Sequence, residues 1–178
     1  KVIIQRNEFA VAKKLFNYNV RVGIFTLIAA VSARLDTFLT ARLLSPFEIG
    51  IYGAANQLVS VVPQIVSALG LVAAPKFASF TNKPDMMTYL KKLQLFVLGL
   101  SALGLLAIPA SFYLIPQFFG SEYSAAIMPF VILLLAMLIF LISVPVHNSV
   151  IFYFGKPDVF IWVSTGHLII IGSLGFFM

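Results

Sequence analysis

The chain has 178 residues, 61% of them apolar and 10% charged, whereas a soluble domain is about half apolar and a quarter charged. That balance excludes a water-soluble globular domain and indicates a membrane protein. The net charge of +6 therefore has to be read by where the basic residues fall rather than as a nucleic-acid footprint, and the absence of cysteine excludes disulfides and thiolate metal sites.

In chain order, residues 1–15 mix charges along their length and hold no continuous apolar core, so no cleavable signal peptide is read there. Within them Phe9, Val11, Ala12 and Leu15 share a broad face, with Arg6, Lys13 and Lys14 elsewhere. The segment is expected to be an amphipathic lead-in on an anionic leaflet, a solvated linker being the alternative. The membrane domain is expected over 16–178, with spans near 16–44, 49–75, 93–115, 124–148 and 159–178. The chain opens on a lysine and ends within an apolar run, and it reads as a piece of a longer protein.

The first span contains Arg21, Arg34 and Asp36. Ionisable groups at membrane depth are expensive and generally face a cavity or a partner. Arg34 and Asp36 stand two residues apart, roughly opposite each other on a helix, so each needs its own partner. The hairpin Leu44-Ser45-Pro46-Phe47-Glu48 follows. The second span is free of charge from Ile49 to Pro75 and carries Asn56, Ser60, Gln64 and Ser67 as a polar stripe. Gly50, Gly53 and Ala54 are expected to let this span approach a neighbour closely. Pro63 predicts a kink, because it withholds one backbone N–H.

A lysine-rich loop leads to the third span, where Gly99, Ala102, Gly104 and Ala107 suit close packing and Pro109 falls late. The turn Phe119-Gly120-Ser121-Glu122-Tyr123 precedes the fourth span, which Pro145 to Asn148 is expected to bend. Gly155-Lys156-Pro157-Asp158 is a tight loop before the fifth. Tyr113, Tyr123, Tyr153 and Trp162 are expected at membrane interfaces. One set of ends holds Lys1, Arg6, Lys13, Lys14, Lys76, Lys83, Lys91, Lys92 and Lys156, against Arg42 alone on the other. By the positive-inside rule the lysine-rich side is cytoplasmic.

The order and spacing of Asp36, Leu43-Leu44-Ser45-Pro46, Glu48-Ile49-Gly50-Ile51-Tyr52-Gly53, Pro75-Lys76-Phe77, Phe119-Gly120-Ser121-Glu122-Tyr123 and Gly155-Lys156-Pro157 resemble a known family. It is the polysaccharide flippase branch of the multidrug/oligosaccharidyl-lipid/polysaccharide exporter superfamily. The resemblance implies an all-α, polytopic membrane helical bundle, here about five spans at the start of the second lobe of a two-lobed MATE-like transporter. It implies a bacterial inner-membrane protein that flips undecaprenyl-diphosphate-linked oligosaccharide, the O-antigen or capsule repeat unit. Its partners would be that lipid-linked oligosaccharide, membrane lipids and the transporter's remaining helices, with no nucleic acid, no cofactor and no enzymatic role.

By that analogy Arg34 and Arg21 are candidate contacts for the diphosphate, since a guanidinium binds phosphate through two hydrogen bonds and stays charged. A structural ion pair with an acid on a helix outside this stretch of chain is the competing reading for Arg34. Asn56, Ser60 and Gln64 line a cavity or join helices. Asp36 is a coupling-ion site or a packing hydrogen bond to Asn56, Gln57 or Gln64. His147 and His167 sit on separate spans without a nearby acid, so no metal site is read. Two rival functions remain. A multidrug cation antiporter of the same superfamily would favour acids over bases at depth, and a membrane-embedded transferase acting on lipid-linked sugar would need an acid or histidine cluster at a membrane face.

Overall fold

The computed structural model of the chain describes the backbone of residues 2–177 and the side chains of residues 11–35, 37–173 and 175. The lead-in side chains Arg6 and Phe9, and that of Asp36, lie outside the described residues. The described chain is all-helical, with α1 (Val2–Leu43), α2 (Pro46–Val59), α3 (Val61–Ser79), α4 (Lys83–Gly104), α5 (Ala107–Phe119), a 3-10 turn (Ser121–Ala126), α6 (Ile127–Asn148), a π turn (Ser149–Tyr153) and α7 (Asp158–Phe177). α1 runs unbroken through the expected junction of lead-in and first span.

Three stretches are long and apolar enough to cross a membrane: Val11–Leu43, Pro46–Ser79 and Ser121–Tyr153. A fourth is α4 with α5, bent by 41° at the break between them. The described apolar part of α7, Asp158–Ser173, is shorter. Large apolar side chains stand exposed on these helices, Leu71 at 79% and Trp162 at 78% among them. Surfaces of that kind belong against lipid or against further helices.

The chain forms two compact units, residues 1–43 with 155–178, and residues 44–154. The first is a helix pair. α1 and α7 run parallel, because Phe25 meets Phe160 at 6.1 Å between ring centroids and, farther along both helices, Leu39 lies against Gly175. Ser32, buried at this seam, turns its hydroxyl back to the Ile28 carbonyl at 3.0 Å. A hydroxyl satisfied by its own helix needs no partner across the seam.

The second unit is a three-span bundle around α6. Ile51, Ala55, Val59 and Val62 form one helical face of α2–α3, and they pack with Phe130, Leu134, Leu138 and Leu141 of α6. Ser45 caps α2 through a reciprocal box: the Glu48 N–H donates to the Ser45 hydroxyl at 3.4 Å, and the Ser45 N–H to the Glu48 carboxylate at 2.8 Å. α4 starts on a similar cap, the Asp85 N–H donating to the Asn82 side chain at 3.0 Å. Gln94 donates to the Ile142 carbonyl at 2.9 Å, and Gly104 lies against Leu138, so α4 runs antiparallel to α6. Through the bend, α4–α5 carries the chain from the Phe77–Met86 cluster at one end of the bundle to Ile115 and Ala126 at the other. It is a broken span, not a re-entrant loop.

Both breaks lie just ahead of a proline. Pro63 and Pro109 are each the third residue of their helix, and neither can donate to the carbonyl four residues back, Val59 and Leu105 respectively. The chain therefore interrupts at Ser60 and at Leu105–Leu106. The kink expected at Pro63 appears three residues earlier. Ser60 closes it with its N–H on the Asn56 carbonyl at 3.0 Å and its hydroxyl on the Gln57 carbonyl at 2.6 Å.

The close approach expected at Gly50 and Gly53 is corrected: a Cβ at either would meet nothing within 4 Å, because the packed face is that of Ile51 and Ala55. Gly104 is where helices touch, a Cβ there lying 2.8 Å from Leu138 Cδ2. Gly104→Val is predicted to cost about 1–3 kcal/mol by overpacking and to lower the melting temperature in detergent. Gly99→Ala, which enters open space, should leave it unchanged or raised.

Candidate functional site

Five candidate residues with described side chains fall into three different settings. Arg21 lies on the α7-facing side of α1, where its guanidinium meets the Asp158 carboxylate at 2.8 Å. Both side chains are about half exposed, 53% and 50%. The pair staples the start of α7 to α1. Asp158 is the first residue of α7, not the last of the expected loop. Nothing local in the sequence links two residues 137 positions apart.

Arg34 is placed differently. At 100° per residue it lies about 160° round α1 from the seam formed by Phe25, Ser32 and Leu39. It is exposed and, among the described residues, has no ion-pair or hydrogen-bond partner. Ala30, Val31, Leu35 and Phe38 join it in lining an open cleft of about 400 Å³. The surroundings are apolar, with Val31 45% and Phe38 58% exposed. A cation on an open apolar helix face, with no acid beside it among the described residues, is a place for an anion. The two arginines thus separate into one that is engaged and one that has no partner among the described residues.

The polar stripe occupies the outer side of α2–α3. Asn56, Gln64 and Ser67 are exposed and Ser60 is half-buried, about 140° round the helix from the face packed on α6. The stripe does not join helices within its own unit. Ser60 and Ser67 use their hydroxyls on their own helix, Ser67 on the Pro63 carbonyl at 3.0 Å. Asn56 and Gln64 keep their amides free among the described residues and are the members able to bind a ligand.

Inside the second unit lies an apolar cavity of about 280 Å³ lined by Leu58, Val62, Leu100, Gly104, Leu134, Leu138 and neighbours, at the level of both helix breaks. The oxygen of Gln94 and the hydroxyl of Ser101 are buried without a partner among the described residues. Gln94 uses its amide N–H on Ile142, next to Leu141, whose carbonyl is denied a donor by Pro145. Among the described residues, no three His, Cys, Asp or Glu side chains gather where a metal could be held.

The Arg21–Asp158 pair is exposed, so it is expected to contribute about 1 kcal/mol or less. Arg21→Asp and Asp158→Arg should each lower the melting temperature slightly, and the double exchange should recover most of the loss. A double exchange no better than the sum of the singles would show that the pair does not hold the seam.

A family model described as "Polysaccharide biosynthesis protein" matches residues 3–128 of this chain. No curated protein and no solved structure matches it. The matched stretch takes in α1 with both arginines, the Ser45 cap, the α2–α3 stripe and the start of α6, and the chain belongs to the polysaccharide biosynthesis protein family.

Proposed function

We propose that the protein is part of a transporter that flips a diphosphate-linked lipid oligosaccharide across the bacterial inner membrane. Membership of a polysaccharide biosynthesis family and long apolar helices support a membrane role in polysaccharide synthesis or export. The observation that carries the finer reading is Arg34, a permanent cation without a partner among the described residues, set among apolar side chains on an open face of α1. A lipid diphosphate offers what such a group lacks, a doubly acceptor-rich anion that a planar guanidinium takes in two parallel bonds. In this reading Asn56 and Gln64 offer amides to sugar hydroxyls, and Arg21 serves the α1–α7 seam.

The multidrug-cation alternative would place acids on the open faces, and Arg34 has the opposite sign. Asp36, the proposed coupling site, keeps that role as a proposal. The alternation of helix direction also supports the topology. α1 and α7 run parallel within one unit, and α2–α3 runs parallel to α6 and antiparallel to α4–α5 in the other. Odd spans leaving the cytoplasm and even spans returning would give that order.

Arg34→Ala is expected to abolish surface-polysaccharide display in a flippase-null strain, with protein levels in membranes unchanged. Arg34→Lys should keep part of the activity, because charge survives while the two-bond geometry is lost. Full display by Arg34→Ala would remove the residue from the substrate path, and loss of the protein would assign it to folding. For topology, cysteines at Thr81 and Ser121, both exposed, should label from opposite faces of the membrane, Thr81 from the cytoplasm. Labelling of both from one face would overturn the span order.

A further inference from the structure

The second unit carries another concavity that the diphosphate reading does not use. It lies between the first turn of α2 and the turn before α6, is lined by Pro46, Phe47, Gly50, Ile51, Glu122 and Tyr123, and has a volume of about 340 Å³. Small-molecule pockets span about 300–1,000 Å³, so this one suits a single ring rather than an extended ligand.

Three features set its walls. The Ser45–Glu48 capping box fixes the first turn of α2, and with it the backbone from which Phe47 projects, 64% exposed. Gly120, at φ +98°, reverses the chain so that the Glu122 carboxyl folds against it. A Cβ on Gly120 would stand 3.3 Å from the carboxyl carbon and from both oxygens. Gly50 leaves the floor open, with nothing within 4 Å of where its Cβ would be.

Each wall has unused chemistry. Among the described residues, Glu122 has no hydrogen bond or ion pair and the Tyr123 hydroxyl has no partner, although the Tyr123 ring is held against Phe119 at 5.9 Å. An exposed aromatic ring, a free carboxylate and a free phenol therefore converge on one small cleft at a water-facing turn. We infer that this cleft is a subsite for one neutral sugar ring of the glycan on the side of the membrane to which it is delivered. This rests on the flippase reading above.

The chemistry matches on both faces of a pyranose. Its C–H face is apolar and lies on the Phe47 ring, removing apolar area from water. Its rim carries adjacent hydroxyls, which donate to the two oxygens of Glu122 in charge-assisted bonds. The Tyr123 hydroxyl donates to or accepts from a third. An organic cation would also find a carboxylate and two rings here. But the carboxylate is exposed, where water screens a bare charge pair more than it weakens a set of directed hydrogen bonds to one ring.

The test uses the native protein in nanodiscs and saturation-transfer NMR. The probes are methyl glycosides of the neutral monosaccharides in the host's own surface polysaccharide, with tetraphenylphosphonium as the cationic comparison. Wild type should transfer saturation to the ring protons of at least one glycoside. Phe47→Ala and Glu122→Gln should each weaken its binding about tenfold, the scale of one aromatic contact or one charged hydrogen-bond set. Glu122→Gln keeps the shape packed on Gly120, so an unchanged melting temperature assigns its loss to binding.

No transfer to any glycoside, equal transfer in wild type and both variants, or Glu122-dependent binding of tetraphenylphosphonium alone would overturn the subsite. Display separates the two readings. Wild-type protein that restores surface polysaccharide but binds no glycoside defeats the subsite only. Wild-type protein that fails to restore display, yet binds a glycoside through Phe47 and Glu122, defeats the flippase reading and retains the sugar site.

Discussion

A backbone crossing lipid has no water to satisfy its peptide groups, so each N–H and C=O must find a partner within the protein. That constraint makes the described chain helical nearly throughout. It also gives its prolines their weight. Pro63 and Pro109, each third in its helix, interrupt the two spans they open, while Pro145 is absorbed within α6. Other groups hold the backbone beside these prolines. Ser60 returns both its N–H and its hydroxyl to the preceding turn, the Ile108 N–H donates to the Leu105 carbonyl that Pro109 leaves without its usual donor, and Gln94 reaches across from α4 to the carbonyl of Ile142, next to that of Leu141. Both breaks border one apolar cavity in the middle of the second unit. Bending a helix there moves side chains into existing space instead of against a close-packed wall.

The same economy sorts the charged and polar side chains. Hydroxyls at Thr26, Ser32, Thr37 and Ser67 bond to the carbonyl four residues back and ask nothing of a partner. Arg21 is neutralised by Asp158 at the start of the α1–α7 seam. Among the described polar groups left without an internal partner are the Arg34 guanidinium, the Asn56 and Gln64 amides, and the Glu122 carboxylate. In a chain whose composition makes every polar group costly, groups left without an internal partner are the ones available to a ligand. The sign of Arg34 favours a phosphate, and the pairing of Glu122 with exposed aromatics favours a sugar.

Much of the local structure was legible because it obeys rules of one or two turns. Ser45-Pro46-Phe47-Glu48 announces a cap and a helix start, Gly120 and Gly155 mark reversals at positive φ, and the uncharged run from Ile49 sets one span. What was not legible depends on which faces meet in three dimensions. Gly53 and Ile51 lie within a turn of each other, and spacing alone did not tell that Ile51 is buried and Gly53 open. The parallel pairing of α1 and α7, and with it the Arg21–Asp158 bridge, joins the two ends of the chain, where no local pattern reports register. The proline at 63 is visible in sequence, but the bond it removes ends on the Val59 carbonyl four residues earlier, and the chain breaks there, at Ser60.

In the proposed function Arg34 acts on a lipid-linked anion during transport. The most direct measurement is flipping of a short-chain polyprenyl-diphosphate sugar in proteoliposomes of the native protein, followed by enzymatic access to the sugar from the outside. Wild type should expose the sugar and Arg34→Ala should fall to the rate of empty vesicles, with Arg34→Lys between them. Equal rates for wild type and Arg34→Ala, at equal protein incorporation, would contradict the account.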